Sequence, residues 1–401
     1  MKIRYIIFAA VAGLLIVGIT SYLDTRLIEP LGLPYSWHLA ALAAVILPVF
    51  GLPLLLILHR YVHSRWFERL LIKIYVLLGL LSFLLVLTFL RDLGWLILMG
   101  MDFLSHFFGA KGDPAWPVIL STDPDLRLFL LKISTLAIIG ISSILLVVGI
   151  FTALRPPRLE RIQIPSAGLH PDLEGYRIAL ISDVHLGPIN NGKALTGVVQ
   201  RINALEPDIV AITGDLADGM VVQYGKAAEA LSSLEAPVYF VTGNHEYYWD
   251  EEAWIRHIQS LGVQVLAGDH RIITKNDANL IIAGVSDLIG DGFHSIHCID
   301  PQAALNDAPR SDFRILLAHQ PGSAFEAAKA GFDLQLSGHT HGGQFFPWNI
   351  LIHKVQPFAA GLYRHNKMWI YTTRGTGFWG PPVRLGVPSE ITLLELRAMP
   401  E

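Results

Sequence analysis

The sequence predicts a two-part chain, in which an α-helical membrane region precedes an α/β domain. Hydrophobic residues make up 52% of the 401 residues and charged residues only 16%, whereas soluble domains carry about 25% charged residues. Residues 1–154 hold 11 Lys/Arg and 8 Asp/Glu, which leaves 19 and 26 for residues 155–401, a formal net charge of −7. We therefore predict a membrane region over residues 1–154, a linker over residues 155–170 and an α/β domain over residues 171–401.

Four apolar runs in the first region are long enough to cross a bilayer, which requires about 20 residues. They are Tyr5–Leu23, Leu39–Leu58, Ile74–Leu90 and Leu128–Phe151. No Ala-x-Ala cleavage site follows the first run, so we interpret it as a retained helix rather than a signal peptide. Asp102 and His106 interrupt a further apolar piece at residues 93–108. We interpret that piece as interfacial or re-entrant, with a fifth span as the alternative.

The basic residues beside these runs predict an orientation. Nine Lys/Arg lie in the N-terminus, the second connection and the segment after the fourth run, against four on the opposite side. The positive-inside rule then places both termini and the α/β domain in the cytoplasm, and an extra span would reverse this. Apart from Lys132, near one end, the runs contain no Asp, Glu, Lys or Arg. We therefore interpret the region as an anchor rather than a transport path.

Short β-rich runs alternate with helical runs in the second part of the chain. Strands are predicted at residues 176–182, 208–213 and 238–242, each followed by a helix, around residues 193–205, 223–234 and 251–261. Later strands are predicted at residues 279–285, 313–318, 333–336, 368–372 and 390–396. The alternation predicts α/β layering, and the β-rich C-terminal end predicts a second sheet.

Five of these strands end in segments that place Asp, Asn or His close to Gly. The segments are “SDVHLG”, “TGDLADG”, “TGNHEYY”, “AHQPG” and “SGHTHGG”. Each segment alone also fits a helix cap, a turn or one face of a strand. Because ligand sites in open α/β sheets lie beyond the carboxyl ends of the strands, the five segments together predict a metal site there.

The segments “DVH”, “GD”, “GNHE”, “AHQ” and “GHTH” occur in the order found in calcineurin-like metallophosphoesterases, and residues 170–401 resemble that family. The “GHTHGGQ” segment and the tail “TTRGTGFWGPPVRLGVPSEITLLEL” most resemble its bacterial subgroup associated with membrane or wall. The resemblance implies two packed β-sheets with helices outside them, and a site for two divalent metal ions.

The resemblance also implies a role for each site residue. One ion would be held by Asp183, His185, Asp215 and His341. The other would be held by Asp215, Asn244, His319 and His339, so that Asp215 bridges the two ions. His245 matches the histidine that donates a proton to the leaving oxygen, and Asp218 matches the carboxylate that orients it.

The predicted residue types suit phosphoester hydrolysis. Two ions about 3.5–4 Å apart bind the phosphoryl oxygens and lower the pKa of a water between them. Carboxylate, amide and imidazole ligands without a thiolate suit manganese, iron or zinc. Because the domain is acidic, the ions would have to supply the positive field for a phosphate. Histidine suits the role of general acid because its pKa lies near neutral pH.

The residues around the motifs bear on the substrate. “GDLADGM” lacks the arginine that follows the second Asp in the protein-phosphatase branch, which argues against a protein Ser/Thr phosphatase. Arg374 and Arg384 are candidates to contact a phosphate or head group, with ordinary surface or sheet-edge charges as the alternative. Glu246 stands where many relatives have Asp, and we give it no role. We interpret “HSIHC”, residues 294–298, as an ordinary loop.

Phe346 and Trp348, which follow the last histidine pair, are candidates for an apolar rim in the headgroup region, with core packing as the alternative. With the anchor, such a rim predicts an amphiphilic phosphoester at the lipid bilayer, such as a UDP-diacylglucosamine-type molecule. The competing hypothesis is a transport or regulatory protein whose domain senses a nucleotide or metal. The complete ligand set favours the enzyme. The acidic domain has no basic stripe, which argues against nucleic-acid binding.

Overall fold

The structure is a computed structural model, and it describes residues 2–62, 64–107, 124–288 and 299–399. The chain divides into two compact units. A helical unit comprises residues 1–58 and 69–148, and a second unit comprises residues 59–68 and 149–401. The loop predicted at residues 294–298 lies outside the described residues. The rest of the second unit is described nearly throughout.

The helical unit consists mainly of four long helices. They are α1 (Lys2–Leu23), α2 (Tyr35–His59), α3 (Arg65–Phe107) and α4 (Pro124–Ala153). Within the described residues, three helices are long and apolar enough to cross a membrane: Tyr35–His59, Arg65–Met101 and Pro124–Ala153. These three contain the second, third and fourth predicted spans. The first predicted span lies within α1, which the structure shows as a helix without establishing it as a span.

Helix α3 corrects the interpretation of the apolar piece at residues 93–108. The helix continues without a break from Arg65 to Phe107, 43 residues, so the described part of that piece is neither a re-entrant segment nor a separate span. No proline interrupts the sequence, and a glycine such as Gly94 costs a helix only about 1 kcal/mol. At 1.5 Å per residue α3 is about 65 Å long, twice the thickness of a hydrocarbon core.

The second unit contains two six-stranded sheets. The first has the order β1-β12-β2-β3-β4-β5, with strands β1 (Arg158–Ser166), β2 (Arg177–Ile181), β3 (Ile209–Ile212), β4 (Val238–Phe240), β5 (Gln264–Val265) and β12 (Glu390–Ala398). The second has the order β10-β11-β9-β8-β7-β6, with strands β6 (Asp269–Lys275), β7 (Ala278–Gly284), β8 (Phe313–Leu317), β9 (Leu334–Ser337), β10 (Gly361–His365) and β11 (Met368–Thr372). Strands β2, β3 and β4 are parallel, as are β7, β8 and β9.

The core lies between the two sheets. Alternate residues of β2, such as Ile178 and Leu180, form one buried cluster with Leu280 and Ile282 of β7. The intervening residues of β7 belong to a second cluster, on the opposite face of that sheet, which includes Ala324, Ala327 and Ala330 of helix α9 (Ala324–Ala330). This period of two is expected when both faces of a sheet are covered.

Strand β1 corrects the predicted linker at residues 155–170. Residues 158–166 pair in parallel with β12 along their whole length, so this segment belongs to the first sheet. Ile164 is fully buried and Ile162 packs against the same core cluster. Pro165 is compatible with β1 because β1 is an edge strand, where this proline interrupts no ladder on its free side.

Helices cover the sheets. They are α5 (Gly192–Asn203), α6 (Val221–Ala228), α7 (Asn244–Tyr248), α8 (Glu251–Ser260), α9 (Ala324–Ala330) and α10 (Trp348–Val355). Helices α5, α6 and α8 confirm the three predicted after the first strands, although α6 gives way to a 3₁₀ turn after Ala228. Because the strands named above are parallel within each sheet, they end at the same side of that sheet, and the polar segments follow there.

Candidate metal centre

The segments that follow β2, β3, β4, β8 and β9 converge in the structure. They bring together all seven predicted metal ligands: Asp183, His185, Asp215, Asn244, His319, His339 and His341. Three overlapping groups of these residues and His245 each place their ligand atoms within 4.8 Å of one another. Six of the seven ligands are buried, and His339 is half-buried.

One group of donor atoms surrounds His341. Its Nε2 lies 3.0 Å from Nε2 of His185 and 3.5 Å from Oδ1 of Asp183. Nε2 of His185 also lies 3.8 Å from Oδ2 of Asp215. Two neutral imidazole nitrogens that face each other this closely require a proton or a cation between them, because their lone pairs repel.

A second group surrounds His319. Its Nε2 lies 3.3 Å from Oδ2 of Asp215 and 3.1 Å from Oδ1 of Asn244. Nδ1 of His339 lies 3.0 Å from the same amide oxygen and 3.2 Å from Nε2 of His319. Atoms bound about 2.1 Å from one ion lie about 3.0–3.5 Å apart, so both groups fit a divalent metal. Oδ2 of Asp215 lies near both groups, as a bridging carboxylate would.

The backbone at the cluster is unusual. Five of the predicted ligands have φ in the left-handed region: Asp183 (53°), His185 (49°), Asp215 (54°), His339 (70°) and His341 (50°). Such conformations cost non-glycine residues about 1–3 kcal/mol each when they are strained, and they concentrate at functional sites. The strand ends therefore hold their ligands in turns that local preference alone would not select.

Two glycines permit the close approach of the strand ends. A Cβ at Gly338 would lie 2.1 Å from Oγ of Ser182 and 2.2 Å from Oδ2 of Asp183. A Cβ at Gly243 would lie 2.2 Å from Oδ1 of Asp215. Because real Cβ atoms do not approach other atoms so closely, no larger side chain fits at either position without displacing a predicted ligand.

His245 and Asp218 form a pair beside the cluster. Nδ1 of His245 lies 2.6 Å from Oδ1 of Asp218, which also lies 2.9 Å from Nδ1 of His185. Burial alone would lower the pKa of His245, but the carboxylates of Asp215 and Asp218 outweigh it and raise the pKa to about 9. Burial alone would raise the pKa of Asp218, but His185 and His245 outweigh it and lower the pKa. The predicted proton donor and its orienting carboxylate are thus in direct contact.

Glu246 has a role that the sequence analysis missed. Its side chain is buried and accepts hydrogen bonds from the backbone N–H groups of Gly243 (2.7 Å), Asp215 (2.9 Å) and Leu216 (2.8 Å). Burial and the neighbouring Asp215 raise its pKa to about 7. Glu246 thereby joins the turn after β3 to the turn after β4. Glu246 lies three residues after Gly243, the N-cap of α7, and makes the half of a capping box in which the third helical residue bonds to the N-cap N–H; this spacing is the signal that would have identified it.

The structure separates the two arginine candidates. Arg384 is fully buried, and its guanidinium donates to the backbone carbonyls of Arg374 (2.8 Å), His341 (3.2 Å) and Gly377. Its guanidinium also lies 3.0 Å from Nδ1 of His341, so Arg384 holds loops together at the cluster, and its contact with a substrate stays a prediction. Arg374 pairs with Glu390 at 2.6 Å and keeps a third of its side chain exposed. Its contact with a phosphate stays a prediction.

The residues after the last histidine pair form an exposed apolar surface. Phe345 is buried and Phe346 half-buried, whereas Trp348 is 45% exposed. Helix α10, which begins at Trp348, has no buried residue among its eight, and Ile350, Leu351 and Val355 are exposed.

Trp379 connects this surface to the site. Its side chain is 52% exposed, and its ring centroid lies 5.9 Å from that of His245. The ring of Tyr248 lies 5.2 Å from His245. The side chain of Gln344 donates to the carbonyl of Trp379 at 3.0 Å and accepts from its N–H at 2.9 Å. We call the exposed side chains of Tyr248, Trp379 and α10 the apolar rim.

Known proteins share these features. Residues 176–343 match the family model for calcineurin-like phosphoesterases. A “Transmembrane protein with metallophosphoesterase domain” of Danio rerio is 38% identical to this chain over 267 residues. The match covers 64% of this chain and 61% of that protein. Its counterpart in Bos taurus is 38% identical over 273 residues, covering 65% and 62%. An uncharacterized metallophosphoesterase of Campylobacter jejuni is 32% identical over 279 residues, covering 69% and 72%.

The fold, the cluster and these relatives together define a metal-dependent phosphoesterase. The chain belongs to the calcineurin-like metallophosphoesterase family. It spans 61% and 62% of the lengths of the two animal relatives.

Proposed function

We propose that the chain is a membrane-anchored two-metal phosphohydrolase that cleaves a phosphoester or pyrophosphate bond of a lipid or lipid-linked substrate. The observation that carries this proposal is the position of His245. It adjoins Oδ2 of Asp215 at 3.8 Å in the cluster and the aromatic rings of Tyr248 and Trp379 in the rim. An amphiphilic substrate would therefore meet the hydrolytic residues and an apolar surface at one place.

In this proposal the ligands divide as the family resemblance implies. One divalent ion would be held by Asp183, His185, Asp215 and His341. The other would be held by Asp215, Asn244, His319 and His339. When bound, such ions neutralise the phosphoryl oxygens and supply an activated water, and manganese, iron and zinc all suit these ligands.

The protein's own side chains then position the substrate and deliver a proton. Oδ1 of Asp218 lies 2.6 Å from Nδ1 of His245, which leaves Nε2 as the atom that faces the cluster. Nε2 is therefore placed to donate a proton to the leaving oxygen. The rings of Tyr248 and Trp379 flank His245 and reduce its access to water. Arg374, with a third of its side chain exposed, is the candidate for a further phosphate contact.

The apolar rim supports a substrate that resides in the bilayer. Exposed Trp and aliphatic side chains suit the boundary between headgroups and acyl chains. Within the described residues, the same chain carries three helices apolar enough to cross a membrane. A lipid phosphoester, such as a UDP-diacylglucosamine-type molecule, would place its acyl chains against the rim while its phosphate reaches the metal ligands.

The setting of the enzyme is part of the proposal. The excess of Lys/Arg in the N-terminus, the connection between α2 and α3 and the segment after α4 supports a cytoplasmic catalytic unit. The “GHTHGGQ” segment supports the bacterial membrane-associated subgroup and hence an inner membrane. Relatives in both animals and bacteria share the catalytic region.

The test uses full-length protein purified in detergent with added manganese. Release of phosphate or nucleotide is measured on a panel of lipid-linked and soluble phosphoesters, beside Asp215→Ala and His245→Ala. We expect turnover of a lipid-linked ester that both variants abolish. Activity on soluble esters alone would retain the hydrolase and contradict the lipid substrate. Bound metal without activity on any ester would favour a sensor.

A further inference from the structure

The connection between α2 and α3 belongs to the phosphoesterase unit. Residues 59–68 cluster with residues 149–401, and the side chains of His59 and Phe67 are buried, 1% and 5% exposed. The ring of His59 stacks on Phe67 at 5.9 Å and meets Trp249 edge-on at 5.7 Å. His59 ends α2 and Phe67 lies in the first turn of α3, on either side of a short loop of the kind that is ordinarily solvated, so the burial of both side chains indicates a specific contact.

One half of this contact reaches the segment that carries Asp218. The carbonyl of His59 accepts a hydrogen bond from Nε2 of Gln223 at 3.0 Å. Oε1 of the same Gln223 accepts from the backbone N–H of Met220 at 2.8 Å. Met220 lies two residues after Asp218, so one glutamine side chain joins the connection to the start of α6 and to the turn that holds this carboxylate.

The other half reaches the segment that carries His245. Arg60 donates a hydrogen bond to the carbonyl of Tyr248, and its guanidinium lies 5.8 Å over the ring of Trp249. The last carbonyls of a helix have no partner within it, and a basic side chain commonly supplies one. The N–H of Trp249 in turn bonds to the carbonyl of His245 at 3.1 Å. Arg60 thereby fixes the end of α7, the five-residue helix that contains His245.

We propose that His59 and Arg60 form a clamp that sets the distance between His245 and Asp218. Two consecutive residues of the connection hold the two segments whose side chains meet at 2.6 Å. Arg60 is thus a positioning residue that acts through Tyr248, and the inference rests on the proposed role of His245 as proton donor. Because misplacement by about 1 Å can cost about 100-fold in rate, a modest loosening of the clamp reduces turnover.

The test compares Arg60→Ala and Arg60→Lys in the full-length protein with manganese and the soluble diester bis(p-nitrophenyl) phosphate. Arg65→Ala is the matched control, because Arg65 is an exposed arginine five residues along the chain. In Arg60→Ala we expect kcat to fall about tenfold while KM stays within about twofold. Lysine can still donate to the Tyr248 carbonyl, so Arg60→Lys should recover part of the rate. Arg65→Ala should match the unmodified protein.

A second measurement is independent of turnover. Amide hydrogen exchange over residues 244–249 should be faster in Arg60→Ala than in Arg65→Ala, with equal manganese content in both. Equal exchange in the two variants would overturn the clamp. A rise in KM with kcat unchanged would also overturn it. If the unmodified protein hydrolyses no ester of the panel, the proposed function fails, and the exchange measurement alone then decides whether the clamp exists.

Discussion

The metal-ligand cluster and the apolar rim both adjoin His245, but they differ in exposure and in backbone conformation. The cluster consists of polar side chains that are mostly buried, five of them on left-handed backbone, with glycines beside them. The rim consists of exposed rings and a helix, α10, with no buried residue. The comparison indicates that the ligand arrangement depends on close packing, whereas the lipid preference we propose would depend on exposed side chains.

Removing the bridging carboxylate should have the largest effect. In Asp215→Asn the side chain keeps its shape and loses the charge shared by both donor groups. We expect loss of bound metal and a fall in kcat of about 1,000-fold, since charge stabilisation by metals is worth several kcal/mol. Metal content and kcat measure this. Asp307→Asn is the control, because Asp307 also has positive φ (62°) but is exposed. Equal metal content in both variants would contradict the bridging role.

A methyl group at Gly338 should disrupt the same cluster through packing. The new Cβ would lie 2.2 Å from Oδ2 of Asp183, so Asp183 or the turn must move. We expect kcat to fall about 100-fold and the free energy of unfolding to fall by about 1–3 kcal/mol. Gly322→Ala is the matched control, since a Cβ there meets no described atom within 4 Å. Thermal unfolding and turnover are measured on both, and an active, equally stable Gly338→Ala would show that the close approach is unnecessary.

Replacing Glu246 by Gln should have an intermediate effect. The amide keeps the size of the side chain but points a donor at one of the backbone N–H groups of Gly243, Asp215 and Leu216. An unsatisfied buried donor costs about 1–3 kcal/mol, and we expect a matching loss of stability with about a tenfold fall in kcat. Denaturant unfolding and turnover measure the two effects. Glu252→Gln, at an exposed glutamate, is the control. Unchanged stability in Glu246→Gln would refute the joining role of this side chain.

The two regions also differ in how well the sequence predicts them. The cluster is predictable because Asp, Asn and His follow β2, β3, β4, β8 and β9, and parallel strands bring their ends to one edge. The contact of Arg60 with Tyr248 joins residues 188 positions apart, and no local pattern marks it. The segment of strand β1 was predicted as a linker because a proline such as Pro165 suits an edge strand as well as a linker. The burial of Arg384 was not predictable, because burial is a property of the fold rather than of the tail sequence.

Substitutions at the apolar rim should have the smallest effect, and they test the comparison most directly. If about 40 Å² of the Trp348 ring enters lipid, the contribution is about 1 kcal/mol, or about fivefold in turnover of a lipid substrate. Trp348→Ser and Phe346→Ser should therefore lower the rate on a lipid-linked ester several-fold and leave the rate on a soluble ester unchanged. Ile272→Ser, at a half-exposed residue of β6, controls for loss of an apolar surface side chain. Equal losses on both esters would mean that these side chains support the fold. In that case the rim, like the cluster, would be part of the packed fold, and the substrate would have to be recognised elsewhere.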